Sequence, residues 1–170
     1  MAFLFLLGVM SLLAWVLARV SGHRCSWRTA MRLGAGLAFL WTGTDHFLSD
    51  EVRYLPMMPA FFGAWSLPLV WFTGAAEVLG GLALILPQAL CQRWHMPRLH
   101  QVAGVALALL LLVMVMANIN VALQGRAVAG LETLPDWYGW VRPLLQPLIV
   151  LWVLYATHVI GRGRPGLRHA

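Results

Sequence analysis

Residues 102–123 form a run of 22 side chains with no charge among them. As an α-helix the run would be about 33 Å long, close to the ~30 Å hydrocarbon thickness of a bilayer. Within lipid every backbone N–H and C=O needs a partner inside the protein, so a crossing helix is the fold such a run prescribes. Four more apolar runs accompany it, at residues 2–18, 33–48, 67–86 and 143–161. Five crossings of about 20 residues each occupy ~100 residues. The expected fold is therefore an all-α membrane protein with five spans and no room for a separate soluble catalytic domain. Composition agrees, with 61% hydrophobic and 11% charged residues where an ordinary soluble domain carries ~25% charged. A mean hydropathy of +0.76 excludes a disordered or collagen-like chain.

A secretory signal needs a basic stretch ahead of its apolar core and a small-residue cleavage site after it. Nothing basic precedes residues 2–18, whereas Arg19, Arg24, Arg28 and Arg32 follow, so the first run reads as a retained span. The net charge of +6 comes from 12 arginines, with no lysine, against 6 acids. Clustered arginines also suit nucleic acid, but these fall between apolar runs, which is a topology pattern, and nucleic acid is not an expected partner. Arg19, Arg24, Arg28, Arg32, Arg93, Arg98, Arg162, Arg164 and Arg168 fall on one side of the bilayer; Arg53, Arg126 and Arg142 fall on the other. The positive-inside rule then predicts the N-terminus outside and the C-terminus in the cytoplasm. Cys25 and Cys91 both face the reducing compartment in this arrangement, with neither a C-x-x-C pair nor a disulfide framework.

The outer connection at residues 49–66 carries Leu55, Met57, Met58, Phe61, Phe62 and Trp65, too apolar for water, and is expected in the membrane interface. Pro56, Pro59 and Pro68 preclude a long uninterrupted helix there, and Tyr54 and Trp65 are of the type that settles at headgroup level. The second outer connection, residues 124–142, ends in Trp137-Tyr138-Gly139-Trp140. The two aromatic loops form an ordinary interfacial belt or roof the outer end of the bundle.

Glu77 lies about ten residues from either end of its run, ~15 Å from each boundary and so near the midplane. An ionised carboxylate there costs roughly 2.5–3.5 kcal/mol on insertion scales, which requires Glu77 to be protonated, paired or turned to a wet cavity. It is either a proton-handling group or a neutral contact between helices. Thr42, Asp45 and His46 share one helix face, as do Thr73, Gly74, Glu77 and Gly81, whose glycines admit a neighbouring backbone. Asp45, His46, Asn118, Asn120 and Gln146 all fall in the outer half, with Glu77 as their floor. The simpler alternatives are headgroup contacts for Asp45 and His46, interhelical hydrogen bonds for Asn118 and Asn120, and an interfacial position for His158. Met114 and Met116 read as packing residues. Cys91, His95 and His100 share one inner loop but match no established metal spacing, and no metal is expected. No phosphate loop, H-E-x-x-H motif or G-x-S-x-G elbow is present.

Gly43-Thr44-Asp45-His46-Phe47, Tyr54 with Met57-Met58-Pro59, and Gly74-Ala75-Ala76-Glu77-Val78-Leu79-Gly80-Gly81 occur in that order. Together with Asn118, Pro135-Asp136-Trp137 and Arg142-Pro143-Leu144-Leu145-Gln146, they resemble the DoxX-like family of small bacterial membrane proteins, over roughly residues 28–158. The resemblance implies a four-helix membrane bundle in the bacterial cytoplasmic (inner) membrane, more distantly similar to the vitamin K epoxide reductase bundle. It divides the chain into an extra N-terminal transmembrane helix at 1–20, a four-helix domain at 28–161 and a basic cytoplasmic tail at 162–170. Some members are linked to membrane redox chemistry, as thiosulfate:quinone oxidoreductase subunits or partners of oxidative-stress enzymes. This chain departs from the redox pattern in lacking paired cysteines.

The expected function is that of a membrane subunit supporting quinone-linked or stress-related redox chemistry, with quinone as the candidate cofactor. Glu77 would be the proton donor or acceptor, His46 with Asp45 its outer relay, and Asn118, Asn120, Gln146 and Thr73 ligand-facing groups. Candidate partners are the bilayer, a quinone or redox enzyme, and a second copy of the chain. The alternatives are a small proton-coupled transporter or lipid-binding module, or an assembly factor for another membrane protein.

Overall fold

The computed structural model describes residues 2–22, 24–124 and 137–161. Every regular element among them is helical. The long helices are α1 (Ala2–Val20), α2 (Trp27–Leu48), α3 (Ser66–Ile85), α5 (Leu99–Gln124) and α6 (Tyr138–Ala156), with a short α4 (Gln88–Arg93) between α3 and α5. Four stretches, Phe3–Val20, Ala60–Ile85, Leu99–Gln124 and Gly139–Ala156, are long and apolar enough to cross a membrane. The chain is thus an all-helical protein of membrane character. The expectations for Arg126, Pro135 and Asp136, and for the tail with Arg162, Arg164 and Arg168, lie outside the described residues.

Helix ends depart from the hydropathy runs where capping, not apolarity, sets the boundary. α2 begins at Trp27, ahead of the run at 33–48, because the Ser26 hydroxyl accepts from the Thr29 N–H at 3.1 Å and satisfies an otherwise orphaned donor. α6 begins at Tyr138, so Trp140 and Arg142 stand in its first turns and not in a loop. Pro143 and Pro147 lie within it, a placement tolerated in membrane helices because neighbouring groups satisfy the freed carbonyls. The connection between α3 and α5, expected as an inner loop, folds partly as α4.

A close seam joins α2 and α3, antiparallel, through two glycine pairs. A Cβ on Gly36 would lie 2.9 Å from the Gly81 carbonyl oxygen, and one on Gly43 2.8 Å from that of Gly74. Each pair is a heptad from the other on its own helix, so the two backbones touch along one stripe. Apolar side chains gain little by leaving lipid for protein, and membrane helices associate through such small-residue contacts. α1 joins the other side of α2 with Ser11 against Gly34, and α3 meets α5 where Gly80 accepts Leu107. Leu7, Phe39, Leu84, Leu107 and Val153 are fully buried at the centre of the half of the bundle remote from the α2–α3 connection.

Two arginines one turn apart on α2 tie the bundle at that remote end. Arg28 donates to the carbonyls of Tyr155 (2.6 Å), Ile160 (2.5 Å) and Gly161 (3.0 Å), while Arg32 donates to that of Leu84. They thereby cap the C-terminal ends of α6 and α3, where free carbonyls and the helix dipole favour a cation.

The connection from Asp50 to Trp65 folds into a π-helical turn (Asp50–Tyr54) and two 3-10 turns (Leu55–Met57 and Ala60–Trp65), with a kink at Gly63 (φ 48°). No long helix forms, as its prolines require. Asn120 of α5 holds it down by donating from Nδ2 to the Met57 carbonyl at 3.1 Å.

Candidate functional site

Beneath this connection lies a cavity of about 350 Å³ bounded by α1, α2, α3, α5 and α6. Most of its wall is apolar, built from residues such as Phe3, Leu69, Val70, Leu111, Met114 and Ile149. The polar groups are few: Thr42 and His46 from α2, Thr73 and Glu77 from α3, Asn118 from α5, Arg142 and Gln146 from α6, and Tyr54 from the covering turn. A mainly hydrophobic cavity with a handful of converging polar side chains is the usual form of a small-molecule site.

Glu77 is buried (3% exposed), and the glycine seam puts it there, since the Gly43 backbone lies directly against its Cβ. That approach delivers the Thr42 hydroxyl to within 2.5 Å of Glu77 Oε2, while the same hydroxyl lies 3.1 Å from the Ala38 carbonyl. Both protonation states of Glu77 are therefore served. A carboxylate accepts the Thr42 proton; a carboxyl donates to Thr42 Oγ1, which then donates to Ala38 O. The group can take up or release a proton without leaving a polar atom bare.

His46, also buried, donates from Nδ1 to the Thr42 carbonyl at 2.8 Å, which fixes the proton of the neutral ring on Nδ1. Tyr54 stacks on this imidazole, with ring centroids 3.8 Å apart and planes 24° off parallel. Its hydroxyl donates to Asp45 Oδ2 at 2.8 Å; Asp45 also accepts from Ser49 Oγ at 2.9 Å and pairs with Arg53. Burial, followed by the hydrogen bond to Asp45, holds the Tyr54 phenol above its ordinary pKa. Asp45 therefore bonds away from Glu77, and its connection to His46 passes through the stacked tyrosine ring.

On the opposite wall Asn118 Nδ2 donates to Gln146 Oε1 at 2.7 Å, and Gln146 Nε2 donates to the Leu111 carbonyl at 2.6 Å. These bonds join α5 to α6 and hold both amides at the cavity wall. Thr73 lines the cavity while its hydroxyl donates to Val70 O at 2.9 Å. Asn120 stands outside the lining and acts on the cover. Of the sequence candidates, then, Glu77, His46, Thr73, Asn118 and Gln146 share one cavity, and Asp45 and Asn120 brace its roof.

Tyr54 and Arg142 entered the sequence reading as an interfacial anchor, a topology marker and members of the resemblance motifs, not as site residues, yet both line the cavity. Met114 and Met116, read as packing residues, line it too. The position of Arg142 follows from α6 beginning before the apolar run; hydropathy does not mark that start. At the far end of the bundle Cys91 Sγ lies 3.7 Å from His100 Nε2, with the Arg32 guanidinium against the same nitrogen, while His95 is exposed in the left-handed conformation. Among the described residues no three His, Cys, Asp or Glu side chains are grouped as a metal would need. Comparison with protein-family models, curated proteins and solved structures finds no match for this chain.

Proposed function

We propose that the chain is a DoxX-like protein of the bacterial cytoplasmic membrane, crossing it five times with the N-terminus outside, and that it supports quinone-linked redox chemistry. The observation that carries the proposal is the pairing of a buried carboxyl, able to hold or release a proton without losing its partner, with a cavity otherwise fit for an apolar ring. Reduction of a quinone takes two electrons and two protons. Glu77 would exchange a proton at the quinone oxygen, His46 would stand between it and the surface, and Asn118 with Gln146 would orient the head. The electrons would come from a redox-enzyme partner, since Cys25 and Cys91 are not paired.

The test is equilibrium binding of a short-tailed quinone to the purified protein in nanodiscs, with an inventory of proteins retained in mild detergent. Saturable binding, weakened in Gln146→Ala, is the expected result. If neither a quinone nor a redox enzyme is bound, the proposal fails. Substrate-dependent proton flux in proteoliposomes would favour the proton-coupled transporter instead, a reading that rests on the same carboxyl and cavity.

A further inference from the structure

The route into the cavity is as informative as its floor. From the α2–α3 connection it is covered. Met57 and Pro59 are buried over it, Tyr54 lies stacked on His46, and Asn120 tethers the Met57 carbonyl. The side wall is less complete. α3 and α5 are in contact where Gly80 admits Leu107, and their antiparallel courses bring Thr73 level with Met114 one heptad farther on. Both of those residues, and Leu69 and Ala117 beyond them, line the cavity, which therefore reaches the α3–α5 side of the bundle.

Of all the residues that line it, two are more than half exposed: Val113 (64%) and Met116 (52%). They stand one turn apart on α5, in the stripe that also exposes Leu109, Leu112 and Leu123. Side chains that meet both the cavity and the outer surface mark the place where the wall is interrupted. The side chains that this stripe exposes from Leu109 to Met116 are apolar, as lipid-facing ones should be.

We propose that this gap is a lateral portal: the ligand is a membrane-dissolved amphipath with a long apolar tail, its head seated at Thr42 and Glu77 and its tail passing between α3 and α5 into lipid. The proposal rests on the quinone reading and deepens it by naming the class of ligand and its path. Size supports it. A volume of about 350 Å³ is at the low end of the roughly 300–1,000 Å³ of small-molecule sites, enough for a ring and the start of a tail but not for an isoprenoid chain of many units. A tail left in lipid exchanges one apolar surrounding for another, so its exit through the portal has no desolvation penalty.

The experiment compares binding of a short-tailed and a long-tailed quinone, both radiolabelled, to protein in nanodiscs. Val113→Trp and Met116→Trp fill the gap from the lipid side; Leu112→Trp, on the same stripe but outside the lining, is the control. Each portal variant should weaken the long-tailed quinone by about tenfold or more, equivalent to some 1.4 kcal/mol, and leave the short-tailed one and the control unchanged. Unaltered long-tailed binding in both variants overturns the portal while leaving the head site standing. Loss of both ligands in both variants also overturns it, because tail and head would then not be separable. Wild-type protein that binds neither removes the head site and the portal with it.

Discussion

Glu77 is where a single atom decides between chemistry and packing. Gln has similar volume and bonds between helices, but it cannot take up or release a proton near neutral pH. Glu77→Gln should therefore fold normally and lose quinone-dependent activity, whereas Glu77→Ala should in addition lose about 1 kcal/mol of stability, the scale of a membrane hydrogen bond. A fully active, pH-insensitive Glu77→Gln protein would leave this residue as a contact between helices and nothing more. Tyr54 makes a second test at the same scale. Its phenol is held above the usual ~10, so the stability it gives the roof is complete below that pH and is lost as pH rises through the higher folded value. Subtracting the alkaline absorbance titration of Tyr54→Phe from that of wild type should show one phenol ionising late. A difference curve centred near 10 would mean that Tyr54 is not sealed against His46 as described.

Among elements, the α2–α3 seam does most to build the site, because Thr42 reaches Glu77 only where Gly43 and Gly74 let the backbones touch. A Cβ on Gly43 would meet a backbone oxygen at 2.8 Å and one on Gly74 the His46 Cβ at 2.6 Å, and neither neighbour is the free end of a flexible chain. Gly43→Ala and Gly74→Ala should each destabilise by about 1–3 kcal/mol through overpacking, read as a lowered Tm in detergent, and each should weaken quinone binding as well. Gly8→Ala, with nothing within 4 Å of the added carbon, should lower neither, since alanine suits a helix interior better than glycine. Much of this seam was legible in the sequence, since the spacing of Gly74, Glu77 and Gly81 marks one small-residue face with an acid in it. The roof was legible only in part. Three prolines forbade a long helix, but the stacking of Tyr54 on His46 joins residues eight apart across a π-helical turn, and no periodicity reports that. The start of α6 was illegible for a different reason: Trp140 and Arg142 stand in its first turns, and hydropathy sees only the apolar residues after them.

At the scale of the molecule the element that decides the topology is α2, whose 22 residues are long enough, at about 33 Å, to cross a bilayer but which is not among the four long apolar stretches. Its polar groups explain why a crossing is still physically reasonable. Arg28 and Arg32 are spent on carbonyl ends of α6 and α3, Asp45 is paired with Arg53, and α1 and α3 cover the helix on two sides, so little of its polarity would meet lipid. Crossing by α2 makes the number of spans five and sets the two chain ends on opposite sides; without it Cys25 and Glu51, which flank the helix, would share a side. Cys91 is no guide to sidedness, because it is fully buried and would stay silent on either face. In a Cys91→Ser background, Glu51→Cys should react with an impermeant thiol reagent added outside intact cells, and the half-exposed native Cys25 should react only after the membrane is opened. Reaction of both from outside would remove α2 as a span, and the opposite pattern of labelling would overturn the orientation drawn from the arginines.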